Sequence, residues 1–282
     1  MDFSSPQVID FINRSLQEDV GTGDHSSLAS IPQGKQGKAR LIFKEDGIVA
    51  GMELAGQIFK TVDKNLEITY LKKDGDTVKY GDIGLHVSGS VHSILVSERL
   101  VLNCMQRLSG IATITNKIVK AIDGTNTKIL DTRKTTPGLR LLEKWAVTLG
   151  GGHNHRFGLY DMIMLKDNHV DYAGGITKAV ESTVKYLSKN NLKLAIEVET
   201  RNLEEVKEAL AQPAVSRIMF DNFTPELMKQ AVQLVNHKKE TEASGGITIE
   251  NVRSYAETGV DFISIGALTH SVKSLDISLK EF

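Results

Sequence analysis

The rhythm of apolar and polar positions changes near residue 110. Before it, short apolar runs sit between turn signals. Residues 38–43 and 66–71 read as strands, and Asp74-Gly75-Asp76 and Gly81-Asp82 as turns. A helix is expected over 6–16 and a long one over about 93–122. In the long helix Leu95, Leu102, Met105 and Leu108 are spaced for one buried face. From Lys128 onward the pattern becomes strand then helix, repeated. Strands are expected over 128–131, 162–166, 194–199, 217–221, 241–244 and 262–266, with amphipathic helices such as 203–210 and 249–258 between them.

Strands that alternate with helices make a parallel sheet covered by helices. Six units are too few for a full eightfold barrel. The expected fold is an incomplete (β/α) barrel of about six parallel strands over 111–267, with an N-terminal α/β (α+β) domain over 1–110. The tail, 268–282, is expected to return to that first domain. The fifth strand fits least well, because Lys238-Lys239-Glu240-Thr241-Glu242-Ala243 is polar where a buried strand is normally apolar.

Bulk properties narrow the function. Net charge is -1, so no global field recruits nucleic acid or an anionic membrane. Cys104 is the single cysteine, which excludes an intrachain disulfide and fits a reducing compartment. The N-terminus has no basic region followed by an apolar core, and no run approaches the ~18 apolar residues of a membrane span. A cytoplasmic protein without membrane or nucleic-acid partners is the expectation.

In parallel α/β barrels chemistry sits at the carboxyl ends of the strands. Here each strand delivers charge or glycine to that rim. The first part is basic: between Lys128 and His169 seven Lys or Arg face four acids. Arg133, Lys134, Arg156 and Lys166 flank strand ends and glycine turns, so they are the site candidates for a ligand with several negative groups. The middle is acidic. Glu197 and Glu199 share a face of their strand, and with Asp221 they could hold Mg²⁺ or accept ribose hydroxyls. Equally, Glu197 could pair with a basic neighbour inside the barrel. The last part is glycine-rich. Ser244-Gly245-Gly246 and Gly266 let main-chain N–H groups approach phosphate oxygens. In Gly150-Gly151-Gly152-His153-Asn154-His155-Arg156, hydrogen bonding of a ligand by a histidine is favoured over a metal site, since no cysteine partner follows.

At these residues the sequence resembles the quinolinate phosphoribosyltransferase family, also called nicotinate-nucleotide pyrophosphorylase (carboxylating). The likeness is carried by Asp131-Thr132-Arg133-Lys134-Thr135-Thr136-Pro137-Gly138, by the segment from Gly150 to Arg156, and by Lys166-Asp167-Asn168-His169. It continues through Glu197-Val198-Glu199, Asp221-Asn222-Phe223, Ser244-Gly245-Gly246 and Gly266-Ala267-Leu268-Thr269-His270-Ser271. Glu18-Asp19-Val20-Gly21-Thr22-Gly23-Asp24 extends it to the N-terminus, with His25-Ser26 as a departure.

The resemblance implies condensation of quinolinate with phosphoribosyl pyrophosphate, giving nicotinate mononucleotide, pyrophosphate and CO2, with Mg²⁺ and no organic cofactor. It implies a homodimer or larger assembly in which Arg99 crosses the interface. Thr132, Arg133, Lys134, His155, Arg156 and Lys166 would surround quinolinate and pyrophosphate. Glu199 and Asp221 would handle ribose and magnesium, with Lys134, Lys166, Glu199 and Asp221 as the catalytic set. Ser244, Gly245, Gly246, Ile265, Gly266 and Ala267 would cradle the 5′-phosphate.

Three competing readings follow from other features. One is a molybdenum-transport-associated relative of the same fold with a different substrate. Another is a zinc hydrolase built on His153 and His155. The third is a carrier module suggested by the turn-rich Lys72-Lys73-Asp74-Gly75-Asp76-Thr77-Val78.

Overall fold

A computed structural model describes all residues, 1–282. The chain divides into two compact units. One comprises residues 1–116, 136–151 and 271–282, and the other 117–135 and 152–270.

The first unit is organised by an antiparallel sheet. Its strands are β1 (Gln36–Phe43), β3 (Glu67–Tyr70), β5 (Ile83–Ser90) and β12 (Ile277–Glu281), in the order β12-β1-β5-β3. The last strand pairs with the first, Leu279 opposite Leu41, and residues 271–282 group with this unit. A small ribbon of β2 (Gly47–Ile48) and β4 (Thr77–Val78) stands apart. The turn-rich segment around Asp74 serves a local purpose. Asp74 Oδ1 accepts the main-chain N–H groups of Gly51 at 2.6 Å and Met52 at 2.8 Å, capping the helix Met52–Val62.

The long helix spans Val91–Ala121. Leu102, Met105 and Leu108 are buried in it as the spacing requires, but Leu95 is 37% exposed; Ile94, Val101 and Ile111 complete the buried stripe instead. The division of the chain also differs from a single cut at 110, because residues 136–151 group with the first unit. Packing accounts for this. Glu143, fully buried on the helix Arg140–Leu149, accepts Arg107 Nε at 2.7 Å, and the Trp145 ring meets Phe3 edge-on at 5.1 Å.

The second unit is the incomplete barrel. Its six parallel strands are β6 (Lys128–Leu130), β7 (Ile163–Leu165), β8 (Ile196–Thr200), β9 (Arg217–Asp221), β10 (Glu240–Ser244) and β11 (Phe262–Ser264). They run in the order β6-β11-β10-β9-β8-β7. The first and second strands of the series are therefore the two ends of the sheet. Beside β6, an isolated parallel bridge joins Leu130 to His153, so the loop carrying His155 lies along that open edge.

The polar fifth strand is explained by both of its faces. Thr241 donates its main-chain N–H and its hydroxyl to Asp261 Oδ2 at 2.8 and 2.6 Å, while Glu242 points inward and meets Arg217 Nη1 at 2.9 Å. Thr241 and Glu242 are buried with partners, which is the condition for burying them at all.

Candidate active site

A cavity of about 220 Å³ opens within the second unit. Seven of its lining residues are among those expected from sequence: Thr132, Arg133, Lys134, His155, Arg156, Lys166 and Ser244. Met164, Met219, Glu242 and Ser264 also line it and were not expected. Strand alternation holds the missed signal. Met219 precedes Asp221 by two, Glu242 precedes Ser244 by two, and Ser264 follows Phe262 by two, so each shares the inward face of its strand.

The basic residues are fixed by their surroundings. The Thr132 hydroxyl accepts the Lys134 main-chain N–H at 3.0 Å, and the Thr269 hydroxyl donates to the Lys134 carbonyl at 2.8 Å. The Lys134 stem runs past Gly266, where a Cβ would come within 2.9 Å of it. Gly266 thus makes room for a lysine. Arg156 donates Nη1 to the Met162 carbonyl at 3.1 Å. Burial and the neighbouring Arg133 guanidinium both lower the Arg156 pKa. Two guanidinium groups in mutual repulsion at a cavity wall are stabilised by an anion between them.

Lys166 begins the helix Asp167–Ala173; its main-chain N–H donates to His169 Nδ1 at 3.0 Å. Its Nζ lies 3.2 Å from Glu199 Oε2. Glu199 and Asp221 lie on the inward faces of adjacent strands, and Glu199 pairs in register with Met219. These hard oxygen donors, one almost buried and one half-buried, suit a magnesium ion that keeps several waters.

The two inner acids separate in role. Glu197 is fully buried, and its Oε2 lies 3.1 Å from His155 Nε2; Glu242 Oε2 lies 3.3 Å from the same nitrogen. Glu197 therefore pairs with a basic neighbour inside the barrel and is absent from the rim. Burial and the adjacent Glu242 carboxylate raise the Glu197 pKa. Burial works against Glu242 as well, but His155 and Arg217 bring its pKa below the ordinary range.

For His155, burial opposes the charged ring while the two carboxylates favour it, up to about 9. Against a second ring proton stands the Arg156 main-chain N–H, 2.6 Å from Nδ1, which needs that nitrogen's lone pair. The form that satisfies both contacts carries its proton on Nε2, toward the carboxylates. His155 thus lines the cavity with Nδ1 accepting from the Arg156 main chain and Nε2 within ion-pair distance of two carboxylates. His153 is exposed and its main chain bridges to β6, so the two histidines do not converge on a metal.

The glycine turn is built for backbone access. Gly245 and Gly246 have φ of +95° and +62°, and nothing lies within 4 Å of a Cβ placed on Gly246. The helix after the turn is only Val252–Ala256, shorter than 249–258, so the groups this segment could offer an anion are those of the glycine main chain. Ile265, Gly266 and Ala267 follow β11 at the same end of the sheet; the Ile265 main-chain N–H donates to the Leu130 carbonyl at 3.0 Å. Arg99 lies elsewhere, on the long helix of the first unit, lining a shallow depression with Asp24 and Ser27. Cys104 is a buried free thiol.

Cations, inward acids and a glycine turn at the carboxyl end of a parallel barrel define an enzyme site for a phosphorylated, multiply anionic substrate. Models of the N-terminal and C-terminal domains of quinolinate phosphoribosyl transferase match residues 24–109 and 111–280. The chain belongs to the quinolinate phosphoribosyltransferase family.

It is 51% identical to the chloroplastic nicotinate-nucleotide pyrophosphorylase [carboxylating] of Arabidopsis thaliana, over 95% of this chain and 81% of that one. It is 45% identical to the probable enzyme of that name from Bacillus subtilis, over 97% and 93%. Among solved structures, the nicotinate-nucleotide pyrophosphorylase from Francisella tularensis superposes with a TM-score of 0.92 at 41% identity, covering 99% of this chain and 98% of that one. NadC from Streptococcus pyogenes gives 0.91 at 40%, covering 97% and 96%.

Proposed function

We propose that the protein is a quinolinate phosphoribosyltransferase, joining quinolinate to phosphoribosyl pyrophosphate to give nicotinate mononucleotide, pyrophosphate and CO2. The observation that carries this is the cavity that Arg133, Lys134, Arg156 and Lys166 line together with Ser244. Two carboxylates and a pyrophosphate are the anions such a wall accommodates.

In this reading Arg133 and Arg156 orient quinolinate by its carboxylates. Lys134 and Lys166 face the departing pyrophosphate, where fixed charge aimed at developing charge contributes on the order of 3 kcal/mol per group. Glu199 and Asp221 hold the ribose hydroxyls and the magnesium ion, which when bound supplies further positive charge toward the pyrophosphate. The glycine turn and Gly266 receive the 5′-phosphate. The pyridine nitrogen bonds to the anomeric carbon as the bond to pyrophosphate breaks. The adjacent carboxylate then leaves as CO2; its electron pair stays on the ring carbon beside the pyridinium and takes a proton. The pyridinium stabilises that carbanion, so no organic cofactor enters the scheme.

Assembly as a homodimer or larger, with Arg99 offered to a neighbouring subunit, belongs to the same reading. So does a cytoplasmic location, supported by the lone buried thiol of Cys104. No helix is long and apolar enough to cross a membrane.

The test is to combine protein, quinolinate, phosphoribosyl pyrophosphate and Mg²⁺ and to follow nicotinate mononucleotide and CO2, with nicotinic acid in parallel. Equal amounts of both products from quinolinate alone are expected. Turnover of nicotinic acid, or no turnover of either acid, would refute the assignment.

A further inference from the structure

We propose that Glu197 and Glu242 are positioning residues which, with Asp131, lock the His155–Arg156 pair into the wall that receives the substrate carboxylates. The proposal rests on the quinolinate reading above and deepens it.

The starting point is what fills the barrel. Interiors of parallel α/β barrels are normally packed with Val, Ile and Leu. Here inward positions of β8, β9 and β10 carry Glu197, Arg217 and Glu242, and His155 enters among them. Both glutamates are fully buried. A buried charge cluster is costly compared with an apolar filling of the same size. Departures from the ordinary pattern of this kind concentrate at functional sites.

The cluster's geometry says what it holds. His155 and Arg156 belong to a loop, and loops need external support to hold side chains within a fraction of an ångström. Three acids, two on strands and one at a strand end, give that support. Asp131, just past β6 and fully buried, accepts the His155 main-chain N–H at 2.8 Å. Glu197 and Glu242 take the imidazole between them at 3.1 and 3.3 Å. The far side of the ring, Nδ1, accepts the main-chain N–H of Arg156 at 2.6 Å. The imidazole is therefore a strut between two buried carboxylates and the backbone of a wall arginine.

Arg217 completes the arrangement. It gives Nη1 to Glu242 at 2.9 Å and lies with its guanidinium carbon 4.1 Å from the centre of the Phe262 ring, so Glu242 already has a cation. Glu197 has His155 as its one ion-pair partner and feels the Arg217 charge without pairing to it, so holding the imidazole is its evident task. His155, Glu197 and Glu242 could also enclose a metal ion, since their ligand atoms lie within 4.8 Å of one another. The arginine against Glu242 favours the strut.

Glu197→Gln and Glu242→Gln keep the shape of the side chain and remove its charge. Each folded variant is to be compared with wild type in quinolinate binding by calorimetry without phosphoribosyl pyrophosphate, in KM for each substrate, in kcat and in melting temperature. Quinolinate affinity should weaken on the order of tenfold, the scale of one lost charge-assisted hydrogen bond, with the phosphoribosyl pyrophosphate KM within about twofold. Should a glutamine variant fail to fold, His155→Asn carries the same selective expectation.

Unchanged quinolinate affinity would overturn the proposal. So would equal losses for both substrates with a lowered melting temperature, which is the mark of a merely structural role. So would a stoichiometric metal ion in the wild type that the variants lack. Wild-type protein that ignores quinolinate would instead bring down the underlying assignment, and this proposal with it.

Discussion

Asn222 donates its side-chain N–H to Asp221 Oδ2 at 2.7 Å from a backbone held at φ 56°. Its main-chain N–H meets the Ser244 carbonyl at 2.8 Å, so one asparagine ties the acid at the end of β9 to the first residue of the glycine turn. Asparagine tolerates the left-handed region at modest cost, whereas most other side chains pay roughly 1–2 kcal/mol there. Asn222→Gly should therefore melt close to wild type and still lose turnover, because the amide is gone. Asn222→Val should lose both stability and turnover. Equal activity of wild type and Asn222→Gly would show that Asp221 needs no such support.

The two turn glycines should respond differently to alanine. At Gly245 a Cβ would lie 2.2 Å from Asn222 Oδ1 and 2.9 Å from its main-chain nitrogen; at Gly246 it would meet nothing within 4 Å. Gly245→Ala is expected to lower the melting temperature markedly and to raise the phosphoribosyl pyrophosphate KM on the order of tenfold or more. Gly246→Ala carries only the left-handed strain, about 1 kcal/mol. Thermal melts and steady-state kinetics on the pair would check this ordering.

Lys166 should separate stability from catalysis. Its ammonium pairs with Glu199 at 3.2 Å but remains 47% exposed, and an exposed pair contributes about 0–1 kcal/mol. Lys166→Ala should hold its melting temperature within a few degrees while kcat falls on the order of a hundredfold. A large drop in melting temperature with little change in kcat would reverse the roles assigned to it.

Cys104 offers a pH test. Burial pushes its thiol up to about 12, against 9.0 for the unperturbed group. Between those values the unfolded chain releases a proton that the folded chain retains. The thiol therefore leaves stability untouched below pH 9 and lowers it as pH rises from 9 toward 12. At pH 8 native protein should resist iodoacetamide and urea-unfolded protein should react. Cys104→Ala should lose less stability than wild type between pH 9 and 11.

Much of this was legible in the chain because period and turn chemistry are local. Residues 203–210 and 217–221 emerge with the expected bounds, since their alternations and flanking polar residues leave no competing pattern. The cationic wall was legible because strand ends mark the rim of any parallel barrel. The inner acids were only half legible: inward pairing was one of two readings open for Glu197, and Glu242 was not singled out. Alternation places Glu197 and Glu199 on one face, but only tertiary structure turns Glu197 down to His155 and leaves Glu199 beside Lys166. Glu242 was hidden in a stretch whose polarity weakened it as a strand. That same polarity marks it as a buried partner of Arg217. Leu95 was misplaced because apolar spacing shows which residues share a helix face, and a neighbour must still be present to cover each one.

The pairing of β12 with β1 bears on how the polypeptide is made. β1 precedes the whole barrel in the chain, yet its outer neighbour, Ile277–Glu281, follows all six barrel strands. Until Ile277–Glu281 has paired, the first unit's sheet has a bare edge with Leu41 and Phe43 in it. Nascent or prematurely terminated chains ending near residue 270 would offer that edge to one another as a template for strand addition. Residues 277–281 are in that sense a guard against strand exchange between incomplete chains.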